Sequence, residues 1–237
     1  MPDAPAPADT QAPPLANEGK GKQPFDLDEI FARLRARCAD LPKAAMFDLR
    51  DRGHGSPYEQ LVSSLISART LEHTTMAASL RLFAVARTPA AIVALGYNGL
   101  LPLIHDATFP EAKVRDILAL SQAILNGGGQ VPDTMEGLTA FRGVGPKIAA
   151  LTLAVGFGQP AIPVDIHVHR VANRWGYVAT TTPERTLATL QAKLPRQYWI
   201  EINERLVPFG KYVCTGPRPH CPDCPLLSMC LQVGVDT

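Results

Sequence analysis

The chain has 237 residues, 46% hydrophobic and 19% charged, with five cysteines and a formal net charge of +1. That is enough chain for one large or two modest cores. No window approaches the ~18 consecutive apolar residues of a membrane helix, no basic start leads into an apolar secretory core, and an odd cysteine count does not suit a disulfide framework. The net charge hides an asymmetry: residues 141–237 carry ten Lys/Arg against six Asp/Glu, a local basic surface or merely a solvated face.

Residues 1–24 are rich in Pro and Ala, lack an aromatic, and read as a disordered tail. Asp3, Asp9 and Glu18 without any Arg argue against a transit peptide, so a reducing cytosol is the expected setting. Asp26 and Glu29 have capping-box spacing ahead of Ile30, Phe31, Leu34, Cys38 and Leu41 on one helix face, where Cys38 is a small core residue. Ser56 and Glu59 form a second cap, with Pro57 at the first helical position. It opens an apolar helix over Leu61–Ala68. Further helices are expected over Leu71–Ala86, from Thr88-Pro89, and over Glu111–Leu125 before Gly127–Gly129. Asp133 and Glu136 cap a short helix through Ala140, another runs from Thr182 to about Leu194, and a last one covers about Tyr198–Val207. No alternating β-branched run bounded by turn residues is present, so the expected class is all-α, without internal repeats.

The stretch Leu138–Val155 carries the first chemical signal. Gly143-Val144-Gly145 permits a tight turn with outward-pointing N–H groups, and Pro146 then opens a helix whose free N–H groups add to them. Such a turn can hold a DNA phosphate without side-chain charge, with Val144 pinning it to the core; it can equally be a Gly-rich connection between packed helices. Lys147 is either a phosphate-binding cation or a nucleophile, since an amine near a helix N-terminus and partly desolvated has its ammonium form disfavoured and its lone pair more available. Eighteen residues on, Asp165 stands among apolar neighbours just ahead of a helix over His167–Trp175. It suits an N-cap, and also a carboxylate that stabilises oxocarbenium-like charge or helps to deprotonate Lys147. His167, His169 and Arg170 either touch DNA backbone or pack.

Cys214, Cys221, Cys224 and Cys230 form C-x6-C-x2-C-x5-C. Four thiolates so close can surround one centre, tetrahedral zinc or a [4Fe–4S] cluster, and spacing alone favours neither. Either would be structural. Lys211 and Arg218 are placed to meet a phosphate backbone.

The Gly-Val-Gly turn with Lys147, the Val164-Asp165-Ile166-His167 segment and the cysteine spacing together resemble the endonuclease III family of helix-hairpin-helix DNA glycosylases, over roughly residues 25–232. The resemblance implies a [4Fe–4S] cluster held by the four cysteines. It also implies a six-helix barrel over residues 46–158 and a cluster lobe made of residues 25–45 and 159–237, with DNA in the cleft between them. Lys147 matches the family's Schiff-base lysine and Asp165 its essential aspartate. The implied activity is that of a bifunctional glycosylase and abasic-site lyase, removing oxidised pyrimidines flipped out of duplex DNA. A monomer working on the nucleoid in the cytoplasm is expected.

Two departures bear on specificity. Arg69 stands where the family usually has Gln to fill the hole left by the flipped base, and Leu71-Glu72 replaces the usual Thr-Asp. Thr108-Phe109-Pro110 replaces a Gly-Leu-Tyr wedge loop, leaving Phe109 as a wedge or a core aromatic. Two other readings remain. A monofunctional mismatch glycosylase is disfavoured by Lys147 and by the end of the chain at Thr237. A non-catalytic DNA-binding paralogue would use the same turn and cluster.

Overall fold

The computed structural model describes residues 21–235, and every regular element among them is helical. There are eleven α-helices: α1 (Leu27–Cys38), α2 (Ala45–Asp51), α3 (Pro57–Ser67), α4 (Glu72–Val85), α5 (Pro89–Leu100), α6 (Pro110–Asn126), α7 (Met135–Thr139), α8 (Pro146–Leu151), α9 (Ile166–Trp175), α10 (Pro183–Lys193) and α11 (Glu201–Tyr212). The all-α expectation holds. No single helix among the described residues is long and apolar enough to cross a membrane.

Local chemistry explains most helix starts. Ser56 and Glu59 close a reciprocal capping box on α3, with Pro57 in the first turn. Thr88 and Thr182 cap α5 and α10 through their hydroxyls, each followed by Pro. Asp26 caps α1, but Glu29 pairs with Arg33 one turn on (2.6 Å) instead of completing the box. Thr134, not Asp133, caps α7, because its hydroxyl accepts from Gly137 N. The last helix starts later than its pattern indicated, at Glu201 after a 3-10 turn over Arg196–Tyr198, and runs past Val207 through Pro208 to Tyr212. Burial of Phe209 and Val213 holds that final turn in place despite the missing proline N–H.

The buried apolar side chains fall into two cores. One gathers α2 to α8 around Phe47, Leu61, Leu82, Ile117 and Ala149. The other gathers α1 and α9 to α11 around Phe31, Val171, Trp175 and Phe209, and takes in Cys38 as a small apolar residue. The chain passes from the first core to the second between Ala161 and Ile162. Residues 1–20, most of the expected tail, lie outside the described residues. Its end is tied down: Gln23 N donates to Ser228 O (2.8 Å) and Lys22 Nζ to Leu227 O (2.8 Å).

The cores are also joined by an ion pair. Glu72 at the start of α4 accepts from Ala45 N, supplying the cap that α2 lacks, and its other oxygen pairs with Lys211 of α11.

Candidate active site

The turn between α7 and α8 is built on Gly143, whose φ of +82° lies in the left-handed region that side chains resist. A Cβ there would lie 3.0 Å from Asp116 Oδ2 and 3.3 Å from Leu65 Cδ2. Val144 is 5% exposed and anchors the turn in the first core. Gly145 differs. Its φ is −90°, an ordinary value, and nothing lies within 4 Å of a Cβ added there. No side chain caps α8, and Pro146 has no N–H to satisfy, so the remaining backbone donors of the first turn are left without a side-chain partner.

Lys147, in the first turn of α8, is exposed and makes no hydrogen bond or ion pair with the described residues. It lines a cleft of about 660 Å³ whose walls also include Arg69, Asp165, His167, Glu184 and Asn203. Asp165 caps α9: its Oδ1 accepts from His167 N and Val168 N (both 2.9 Å). The same carboxylate faces the cleft through an edge that those bonds leave free. Buried Asn203 donates to Pro163 O (2.7 Å), fixing the extended segment that delivers Asp165. Lys147 and Asp165 therefore share one cavity, each at the start of a helix.

The three polar residues at the start of α9 divide their roles. Arg170 donates to Gly210 O (2.7 Å) and lies 3.2 Å from His167 Nδ1. Burial pushes the His167 pKa down, and the nearby Arg170 and Lys147 charges push the same way. The Asp165 carboxylate pulls the other way, and the net shift of this imidazole at the cleft wall is downward. His169 packs instead, with Nδ1 2.6 Å from Thr186 Oγ1.

Arg69 and Phe109 stand at the rim. Phe109 is 58% exposed, which removes the core reading, and the Arg69 guanidinium lies over its ring at 5.7 Å. Both residues adopt left-handed backbone, with φ of 58° and 56°. Lys211 lines the cleft but is half-buried and occupied by Glu72, so it is not a free cation facing outward. Burial lowers its pKa as well.

Cys214, Cys221, Cys224 and Cys230 line one small cavity walled by Trp175, Phe209, Val213 and Leu227. Arg174 reaches over this loop, donating to Thr215 O (2.5 Å) and approaching Cys214 Sγ (3.4 Å). Burial drives the Cys230 thiol up to about 11 and the Cys224 thiol upward too. Among the described residues no three or more His, Cys, Asp or Glu side chains gather closely enough to hold a single metal ion.

Sequence reasoning passed over Glu184, Asn203 and Lys113. Glu184 sits on an ordinary polar helix face, Asn203 is buried beside Ile202 on α11, and only the tertiary fold brings both to the cleft. Lys113 carried a signal: it shares the stripe of Val114, Ile117, Leu120 and Ile124, where a charge is out of place.

The HhH-GPD superfamily of base excision DNA repair proteins matches residues 62–196. The chain is 38% identical over 182 residues to endonuclease III of Thermotoga maritima, covering 76% of this chain and 85% of that protein. It is 31% identical to the Escherichia coli endonuclease III over 176 residues, 74% of this chain and 83% of the relative. Among solved structures, a trapped covalent endonuclease III–DNA intermediate with an estranged adenine superposes with a TM-score of 0.75 at 29% identity, over 88% of this chain and 97% of that one.

Proposed function

Because the chain belongs to the endonuclease III family of the HhH-GPD superfamily, we infer that it is a base excision repair enzyme, a DNA glycosylase with abasic-site lyase activity that acts on oxidised pyrimidines. The observation that carries this reading is one cleft lined by both Lys147 and Asp165, beside the Gly143–Gly145 turn. The barrel lobe would comprise residues 46–158 and the cluster lobe residues 25–45 and 159–237, with the duplex across the cleft.

The residues act in order. The N–H groups of the turn and of α8 hold a backbone phosphate near the lesion. The damaged nucleotide swings into the cleft, because C1′ is shielded in a stacked duplex. Arg69 fills the space it leaves and hydrogen-bonds the orphan base, while Phe109 wedges the neighbouring step. DNA in the cleft covers Lys147, which is exposed in the free protein. The Nζ lone pair then bonds to C1′ as the glycosidic bond breaks, and a proton released by that nitrogen leaves with the base. Asp165 stabilises the positive charge that develops on the sugar. Ring opening yields an imine between Lys147 and the sugar. Loss of the C2′ proton expels the 3′ phosphate, and water releases the lysine.

Cys214, Cys221, Cys224 and Cys230 would hold a [4Fe–4S] cluster. Four thiols lining one apolar-walled cavity are a donor set that suits such a cluster, and family membership favours it over zinc. The group would supply structural closure of the C-terminal loop, and Arg174 would orient that loop around it.

An excision panel tests the reading. On duplexes with an oxidised pyrimidine, the opposite base varied, wild type releases the base and nicks the strand, and Lys147→Ala does neither. Base release undiminished in Lys147→Ala marks a monofunctional glycosylase. Tight lesion binding with no release by wild type marks a non-catalytic DNA-binding protein.

A further inference from the structure

Lys113 is a lysine with an apolar address. It sits on the inner stripe of α6 at 7% exposure, and no carboxylate pairs with it among the described residues. A buried ammonium without a counter-charge persists only where its N–H donors are all met. Here three donors meet three acceptors: Ile66 O (2.6 Å), Ala68 O (2.8 Å) and Thr70 Oγ1 (2.6 Å). The two carbonyls belong to the C-terminal end of α3, where a cation is favoured. The three acceptors bracket Arg69.

Thr70 Oγ1 has a second partner. It accepts from Thr108 N at 3.1 Å, the residue before Phe109. Lys113 is itself bound back to that loop, since Lys113 N donates to Phe109 O (3.2 Å). The Lys113 side chain thus ties the loop after α3 to the first turn of α6, which Phe109 begins, and the Thr70 hydroxyl that it holds links the two loops directly. Each loop carries a residue in the left-handed conformation that non-glycine residues avoid, Arg69 and Phe109, and their side chains meet at the rim. Strained conformers of this kind persist where surrounding contacts over-determine them.

We propose that Lys113 is a positioning residue that fastens Arg69 and Phe109 into one preformed unit for insertion into a duplex with a gap in its stack. This rests on the reading that the two rim residues engage DNA at the lesion. Holding both in place before binding removes an ordering cost from the encounter. Lys113 touches no DNA, so its effect is on discrimination between gapped and intact duplex.

The test measures affinity for a duplex carrying a tetrahydrofuran abasic analogue, relative to the same duplex undamaged. Lys113→Met should lower that ratio about tenfold, the scale of immobilising one or two side chains in advance. Thr70→Val, which keeps Lys113 and removes the shared acceptor, should lower it in the same direction by less. A 2-aminopurine opposite the analogue should be less unstacked by either variant than by wild type. In an Arg69→Ala, Phe109→Ala background, Lys113→Met should add little. An unchanged ratio in Lys113→Met, or the same loss in that background, overturns the proposal. If wild type itself shows no preference for the analogue, the engagement of DNA by the rim residues fails first and the proposal with it; covalent trapping by Lys147 judges the chemistry separately.

Discussion

Replacing Gly143 with alanine and Gly145 with valine should separate folding from DNA binding within a single turn. Gly143 has φ +82° and a Cβ site 3.0 Å from Asp116 Oδ2. Holding an alanine in left-handed backbone costs about 1–2 kcal/mol. For a chain of this length that lowers Tm by roughly 2–8 °C. Gly145 has φ −90° and open space around its Cβ site, so alanine or valine there leaves Tm near wild type. The open space is where a phosphate must approach the backbone, and a β-branched side chain fills it. Gly145→Val should therefore weaken binding to damaged and undamaged duplex alike, by about tenfold or more if one charge-assisted hydrogen bond of about 1.5–3 kcal/mol is lost. Thermal melts and fluorescence anisotropy on both variants read the two effects. Equal Tm losses for both, or a Gly145→Val variant that binds DNA as wild type does, would refute a phosphate seat at this turn.

Other perturbations follow from the same geometry. Purified protein should carry about four irons per chain and be yellow-brown; Cys224→Ser should lose the iron and melt earlier, whereas one zinc per chain in colourless protein contradicts the cluster. Burial holds Lys113 at about 8 against an ordinary 10.5, so the folded chain binds fewer protons than the unfolded chain between those values. This contribution to stability is complete above pH 10.5 and is lost as pH falls through 8, so the Tm of wild type relative to Lys113→Met should rise from pH 7 to pH 10; a constant or falling difference would show that the three hydrogen bonds of the ammonium offset its burial in full. Glu72→Ala strands both Ala45 N and Lys211, and should cost about 1–3 kcal/mol in denaturant melts; no loss would mean that water replaces the pair freely.

How much of this was legible in advance depended on the range over which each signal acts. Capping chemistry is local, so Ser56 with Glu59, Thr88, Asp165 and Thr182 marked their helices from a few residues of sequence. The helix α2 escaped notice because its first N–H group is satisfied by Glu72, 27 residues on. Two glycines around one valine announced a turn, but nothing in the pattern told the strained Gly143 from the relaxed Gly145. The sign of that difference is set by Asp116 and Leu65 on other helices. Lys211 looked like a surface cation because its partner belongs to the other core. Lys147 and Asp165 were legible as a pair of reactive types at helix starts; that one cavity receives both is a property of how α8 and α9 are carried by different cores.

The proposed lyase chemistry turns on the amine of Lys147. Borohydride added to wild-type protein with an abasic duplex should freeze the imine, and peptide mapping should place the sugar adduct on Lys147. An adduct on another amine, or none while the abasic strand is still cleaved, would contradict it.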